Sequence, residues 1–332
     1  MRIGVIGAGA WGTTLADLLA RQGHDVVIWA REAEVVASIN NHHANDVFLP
    51  ASPLHHRLSA NGSIEAAVSD AEIVVSAAPT HAVRTVMTGV APALARRKPV
   101  VVSVSKGLEP GTLDTMAQVL EATLPGCPAV ALSGPSFAQE VYRHQPTAVV
   151  AASDDQHAAE TVQHAFSAPY FRVYTSQDVI GVELGGALKN VIAIAAGILE
   201  GLGLGHNSQA GLITRGLAEI ARLGEALGAQ PATFAGLAGM GDLLLTATGA
   251  LSRNRSLGVD LGRGRSLEAI LAERKSVAEG VGTARSAVEL GQRAGVELPI
   301  AAEVAQILFD GKAPQRALRD LMDRELKAEQ WR

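Results

Sequence analysis

Lys189 lies in Glu183-Leu-Gly-Gly-Ala-Leu-Lys-Asn-Val-Ile-Ala-Ile-Ala-Ala-Gly197, a run that is apolar on nearly every side. A helix hydrophobic all round is a buried helix, so this lysine is expected inside the protein. Gly185 and Gly186 stand four and three residues before it and Ala193 four after, a stripe of small residues on which another backbone or a flat ring can lie. A buried lysine without a partner has its pKa lowered by desolvation, which suits proton transfer near neutral pH. The plainer readings are a lysine snorkelling from a core helix, or one neutralised by Glu183, and neither accounts for the glycine pair. Lys106, in Ser103-Val-Ser-Lys-Gly-Leu108, follows an apolar strand. A second ammonium near Lys189 would depress both pKa values and bind a substrate oxygen or phosphate; the alternative is a surface cation. Asp242, in Gly239-Met-Gly-Asp-Leu-Leu-Leu-Thr246, opens a helix. There it is expected as an N-cap that also holds a substrate hydroxyl or orients the lysine. Ser252-Arg253-Asn254-Arg255, preceded by Thr246 and Thr248, sets a hydroxyl, two guanidiniums and an amide side by side. In an acidic chain such a cluster reads as a small-anion site, since arginine offers planar, multi-donor recognition of phosphate. Gly262-Arg-Gly-Arg265 reads as an exposed loop.

A second chemistry is written at the start of the chain. The apolar strand Ile3 to Ile6 runs into Gly7-Ala-Gly-Ala-Trp-Gly12, a helical stretch follows from Thr13 to Arg21, and a second strand runs from Asp25 to Trp29. Gly7 allows the tight turn, Gly9 lets backbone approach a pyrophosphate, and Gly12 lets helix and strand pack closely. The phosphates would sit on the helix N-terminus. This context makes the Gly-x-Gly-x-x-Gly pattern a dinucleotide-binding fingerprint. At the end of the second strand no acid stands at Ala30, and Arg31 is placed to meet a 2′-phosphate, although Glu32 and Glu34 could still serve a ribose hydroxyl. Arg31 favours NADPH, with NADH tolerated.

The elements that position these groups fall into two kinds. Ile73–Ala78, Pro99–Ser105, Ala129–Leu132, Thr147–Ala152 and Phe171–Tyr174 read as further strands, near-continuously apolar and separated by helices. That is the pattern of a parallel sheet covered on both faces. Ligands of such sheets bind beyond the carboxyl ends of the strands, which gathers Pro79, Lys106, Gly134 and Ser136 along one edge. After about Ser176 only helical periodicity remains, in Val182–Leu199, Ala210–Leu227, Ser266–Glu273, Thr283–Ala294 and Ala301–Phe309, with Gly228 and Gly295 at C-cap positions. The expected fold is an α/β Rossmann-type parallel-sheet domain over residues 1–177, followed by an all-α substrate-binding domain over 178–332.

Composition narrows the class. A chain of 332 residues suits two domains, and a net charge of −5 argues against a nucleic-acid binder. Cys127 is alone, which excludes an internal disulfide and fits a reducing compartment. The start has no signal-peptide character, and the longest apolar run, Val191–Leu199, is too short to span a bilayer; a cytoplasmic chain with no stable membrane insertion is expected. His42-His43 and His55-His56 lack the ligand company of a metal site, so no metal is expected.

Gly7-Ala-Gly-Ala-Trp-Gly12, Ser103-Val-Ser-Lys-Gly107, Ser133-Gly-Pro-Ser-Phe-Ala138, Glu183…Ala187-Leu-Lys-Asn190, Gly239-Met-Gly-Asp-Leu243, Ser252-Arg-Asn254 and Val277-Ala-Glu-Gly280 occur in that order. Together they resemble the bacterial NAD(P)-dependent glycerol-3-phosphate dehydrogenases, over nearly the whole chain. The resemblance implies a Rossmann domain followed by a helical one, with the active site in the cleft between them. It implies Lys189 as the proton acceptor in glycerol 3-phosphate oxidation and the donor in dihydroxyacetone phosphate reduction. Lys106, Gly134, Ser136, Lys189, Asp242, Ser252, Arg253 and Asn254 would contact substrate. Gly7, Gly9, Ala10, Trp11, Gly12, Arg31, Lys106, Ala138, Arg253, Val277 and Glu279 would contact NADPH/NADP or NADH/NAD. Ala10 stands where some members have Ser, which removes one hydroxyl near the pyrophosphate; Ser136 keeps the hydroxyl of the Thr found elsewhere. The product would feed glycerophospholipid synthesis. The alternatives are a related hydroxy-acid or ketopantoate-type dehydrogenase, which would lack the Ser-Arg-Asn grip, and a non-catalytic NADPH sensor, which would need neither lysine. A homodimer stays open.

Overall fold

The computed structural model of the chain describes residues 1–274, 278–326 and 328–329. It divides into two compact units. The first comprises Met1–Lys106 and Asp114–Val179, the second Gly107–Leu113 and Ile180–Arg332.

The first unit is built on eight strands: β1 (Arg2–Ile6), β2 (Asp25–Trp29), β3 (Leu58–Asn61), β4 (Ile73–Ser76), β5 (Val100–Ser103), β6 (Ala129–Ser133), β7 (Thr147–Ala152) and β8 (Phe171–Ser176). They form one sheet in the order β3-β2-β1-β4-β5-β6-β7-β8. Because side chains alternate along a strand, each strand feeds two cores. In β4, Ile73 and Val75 join the core that holds Leu15 and Leu19, while Val74 joins the opposite one with Val90 and Leu120. β3 was not foreseen: Leu58-Ser-Ala-Asn61 is short and its sequence is barely apolar.

The sheet departs from the all-parallel expectation at one place. β7 runs antiparallel to β6, with Leu132 opposite Ala151. A parallel return needs a crossover long enough to carry the chain back along the strand. Between these strands lies only the helix Ala138–Tyr142. After this short helix the chain reverses, and β7 pairs with β6 from the opposite direction.

Among its described residues the second unit has helices and no strand, with the segment 107–113 joining it as irregular chain. Its axis is the Val179–Gly201 helix, buried along almost its whole length. A helix this long and apolar meets the composition of a membrane span, yet here its apolar surface is packed inside the unit. What lets neighbours lie so close is glycine. A Cβ on Gly197 would fall 2.0 Å from the Arg255 carbonyl oxygen, one on Gly201 2.4 Å from that of Val259, and one on Gly258 2.1 Å from that of Ile194. The Arg253–Gly262 helix therefore crosses the lysine helix backbone against backbone. Gly262 belongs to this crossing, buried at the end of its helix, and not to the exposed loop expected of it. The segment 107–113 is tied in by Arg293, which donates to the carbonyls of Thr112 at 3.3 Å and Gly111 at 3.4 Å, while Leu108 enters the helical core.

Candidate active site

In the first unit, the glycine loop has the geometry a pyrophosphate needs. Gly7 sits at φ +114°, where a Cβ would lie 2.8 Å from the Ala77 carbonyl oxygen. A Cβ on Gly12 would lie 2.0 Å from the Gly7 carbonyl oxygen, so the helix start presses directly on the turn. Gly9 is the N-cap of the Ala10–Arg21 helix and uses no side-chain cap. A Cβ there would meet nothing within 4 Å, so the space over the helix N-terminus is open. The N–H groups of the first turn, which no intrahelical carbonyl can satisfy, are left to a ligand. These residues fit a dinucleotide. Arg31 is exposed at the end of β2 and bonded to Glu32 at 3.0 Å, so either side chain can meet the ribose. Trp11 is half-buried beside the loop, and Ala138 opens its own short helix, its carbonyl accepting from Thr14 at 3.4 Å.

At the carboxyl edge, three predicted substrate residues converge. Lys106 donates to the Gly134 carbonyl at 2.9 Å, and Ser136 donates to the same oxygen at 2.9 Å. Gly134 has φ +137° and would bring a Cβ within 3.0 Å of the Val149 Cα, so only glycine serves there without strain. Ser105 fixes the loop from the other side through the Ala78 carbonyl at 2.6 Å.

In the second unit, Lys189 is buried and paired with Asp242, and it donates to Thr246 Oγ1 at 2.7 Å. Thr246 in turn donates to the Asp242 backbone carbonyl at 2.6 Å. Asp242 is the first residue of the Asp242–Thr248 helix and its N-cap is Gly241, which corrects the N-cap expectation. Its carboxylate is spent on the lysine, not on the helix end. The lysine thus has a carboxylate partner, which corrects the expectation that desolvation alone would set its proton affinity: an opposite charge in contact favours the ammonium. The glycine stripe has a visible purpose. A Cβ on Gly185 would lie 2.6 Å from the Ala238 carbonyl oxygen, so it admits the turn Leu237–Gly241 that delivers Asp242.

One residue along from the lysine, Asn190 accepts from Asn254 Nδ2 at 2.9 Å, and Asn254 Oδ1 accepts from the Gly280 N–H at 3.0 Å. Asn254 is thereby held on both ends of its amide. Arg253 beside it is exposed. Ser252 caps this helix by accepting from the Arg255 N–H at 3.2 Å and keeps its own hydrogen to donate. Arg255 turns away to Glu200 at 2.7 Å, so it leaves the expected anion cluster. Glu279 starts the Glu279–Ala294 helix, and Val277 lies outside the described residues. Two residues join the site without having been expected to contact these groups, Asn190 and Thr246. The signal for the second was its spacing, four residues after Asp242 on one helix face.

Two family models match the chain: the NAD-dependent glycerol-3-phosphate dehydrogenase N-terminus over residues 2–159 and the C-terminus over residues 178–319. The chain belongs to this family. A glycerol-3-phosphate dehydrogenase [NAD(P)+] from Geobacter sulfurreducens is 56% identical, covering 99% of each chain. Among solved structures, the glycerol-3-phosphate dehydrogenase of Coxiella burnetii is 36% identical with a TM-score of 0.93, covering 97% of this chain and 98% of that one. The yeast Saccharomyces cerevisiae enzyme of the same name is 26% identical with a TM-score of 0.84, covering 98% and 99%. The family match therefore extends over both units.

Proposed function

We propose that the chain is an NAD(P)-dependent sn-glycerol-3-phosphate dehydrogenase that reduces dihydroxyacetone phosphate to sn-glycerol 3-phosphate, and runs the reverse reaction. The observation that carries the reading is the buried Lys189 held by Asp242 and Thr246, one residue from the Asn190–Asn254 bond. A bound reduced nicotinamide supplies a hydride to the ketone carbon. Negative charge then grows on the carbonyl oxygen, and Lys189 gives it a proton. Asp242 and Thr246 fix the direction of the ammonium, so no reorientation is needed as charge develops. Arg253, Asn254 and the remaining donor of Ser252 take the phosphate; Lys106, with Gly134 and Ser136, takes the substrate's oxygens. Binding energy from the phosphate, remote from the reacting carbon, holds the ketone in place. The dinucleotide is held by the Gly7–Gly12 loop with Ala10 and Trp11, by Arg31 at the 2′-phosphate, and by Lys106, Ala138, Arg253 and Glu279. NADPH is the preferred form and NADH is accepted. The product serves glycerophospholipid synthesis, and the enzyme works in the cytoplasm.

The test is NADPH oxidation against a panel of ketones. Dihydroxyacetone phosphate is turned over and free dihydroxyacetone is barely touched, while ketopantoate and simple 2-oxo acids are not. Equal turnover of dihydroxyacetone with and without its phosphate would refute the anion assignment to Ser252–Asn254.

A further inference from the structure

Asn45 is a buried polar side chain to which the sites above give no role. Its amide nitrogen donates to the Ala8 carbonyl at 2.9 Å and to Thr13 Oγ1 at 2.8 Å. Thr13, buried as well, donates to the same Ala8 carbonyl at 3.1 Å. At the other end of the amide, Asn45 Oδ1 accepts from the Phe48 N–H at 3.3 Å. The partners tell the two ends apart, with oxygens on one side and an N–H on the other. Asn45 lies 32 residues after Thr13, outside the Gly7–Gly12 motif, and yet it holds the middle of that loop.

The hold has a direction. The carbonyl and the N–H of one trans peptide point opposite ways in a rigid plane. Asn45 and Thr13 draw the Ala8 carbonyl inward, so the N–H of the same peptide, that of Gly9, is turned outward. Ala8 is buried and Gly9 exposed, and a Cβ on Gly9 would meet nothing within 4 Å. The Gly9 carbonyl accepts the first helical bond, from the Thr13 N–H at 2.9 Å. The outward N–H therefore stands beside a helix N-terminus, where an anion is favoured.

Asn45 is itself held in place. The Leu49 N–H donates to its backbone carbonyl at 2.8 Å. Further along, the His55 N–H donates to the buried Asp17 carboxylate at 2.7 Å, and the Tyr142 hydroxyl donates to the Pro53 carbonyl at 2.8 Å. Thr13 and Asp17 stand one turn apart on the Ala10–Arg21 helix, so the chain from 45 to 55 is tied to that helix at both ends.

We propose that Asn45 is a positioning residue for the dinucleotide: through the Ala8 carbonyl it aims the Gly9 N–H at the pyrophosphate. The inference rests on the dinucleotide reading of the loop and not on which ketone is reduced.

Titration of the full chain without substrate, followed by the fluorescence of the reduced nicotinamide, tests it. Asn45→Asp keeps the acceptor for Phe48 and sets a second oxygen against the Ala8 carbonyl. Kd for NADPH and Kd for NADH rise by the same factor, about tenfold, as expected for one misdirected hydrogen bond to a charged group. ADP-ribose, which carries the pyrophosphate without the nicotinamide, competes about tenfold more weakly too. In turnover, KM for the dinucleotide rises with Kd and kcat stays within about twofold, as when an interaction common to ground and transition states is lost. Thr13→Val removes the other donor to Ala8 and keeps the side chain's shape. It weakens NADPH and NADH by one common factor, and it carries the test if Asn45→Asp does not fold. A variant that is folded by circular dichroism and binds both dinucleotides with the wild-type Kd would overturn the proposal, even if it melts lower, and would leave Asn45 a loop brace. A loss confined to NADPH would also overturn it, since the 2′-phosphate and not the pyrophosphate would then be the group affected. Wild-type protein that binds neither dinucleotide would overturn the dinucleotide reading, and this inference with it.

Discussion

At the scale of the residue, the proposed chemistry rests on Lys189 as proton donor, its place fixed by two neighbours on one helix. Asp242 and Thr246 sit a turn apart and both reach Lys189. A lysine held in this way differs from a merely desolvated one. Its proton is available to a developing alkoxide, and the same carboxylate that aims it also favours the ammonium. Arg31 is the residue whose role divides most cleanly between two readings, because its side chain is 84% exposed and its Glu32 partner is an equally good hydroxyl acceptor. Replacing Arg31 by Asp removes the cation from a 2′-phosphate and leaves the ribose hydroxyl an acceptor. KM for NADPH then rises at least about tenfold while KM for NADH changes little, consistent with the loss of one charge-assisted contact. Steady-state kinetics with both dinucleotides checks this, and an equal rise in both constants would make Arg31 a solvated helix-start cation.

At the scale of the element, two devices hold the second unit. The first is the crossing of the lysine helix with the Arg253–Gly262 helix, which brings Asn190 and Asn254 within hydrogen-bond reach. Gly258→Ala places a methyl 2.1 Å from the Ile194 carbonyl oxygen, a backbone atom that cannot turn aside. The variant loses about 1–3 kcal/mol in urea unfolding, as overpacked cores do, and loses turnover with it because the two asparagines part. Unchanged stability would mean the crossing is looser than drawn. The second device is Glu219, which caps the Pro299–Phe309 helix from a neighbouring helix. Burial lifts its carboxyl from 4.5 to about 7, against the downward pull of the Ile300 and Ala301 N–H groups and of Arg222 and Arg324. A raised folded-state value means the native state binds more protons. The stabilisation is therefore complete below about pH 4.5 and is lost as pH rises toward 7. Over that window the wild type should lose up to about 3 kcal/mol relative to Glu219→Gln, which does not titrate. Urea unfolding of both at pH 5, 6, 7 and 8 measures it, and a constant difference contradicts it.

At the scale of the whole molecule, what could be read from the sequence was what is local or periodic. The glycine loop, its flanking strands and the change to helical periodicity after Ser176 are patterns within a few residues of each other. Lys189 was legible because a lone charge in an apolar helix needs a reason. What lay out of sight was pairing across long separations. The residues around Asp242 left open whether its carboxylate holds a substrate hydroxyl or turns to the lysine 53 residues earlier, and nothing near Arg255 announces Glu200. The antiparallel β7 was hidden for the same reason, since a strand's own residues do not state its direction. The glycines of Gly197…Gly201 and Gly258…Gly262 were visible as residues, but their use appears only when two helices meet.

The central claim is that Lys189 is the acid that completes reduction of dihydroxyacetone phosphate. Lys189→Met removes that proton, and it also takes the ammonium from beside a carboxylate that is 1% exposed. Deleting one partner of a buried pair costs about 3–5 kcal/mol, so the variant melts lower than the wild type and is assayed with the double variant Lys189→Met/Asp242→Asn, which restores a neutral pair. The decisive measurement is kcat for NADPH-dependent reduction of dihydroxyacetone phosphate, at a temperature where wild type and both variants are folded by circular dichroism and bind NADPH. In both variants kcat falls by about 10²- to 10⁴-fold. Either folded variant retaining near-wild-type turnover would contradict it and move the acid's role to Lys106.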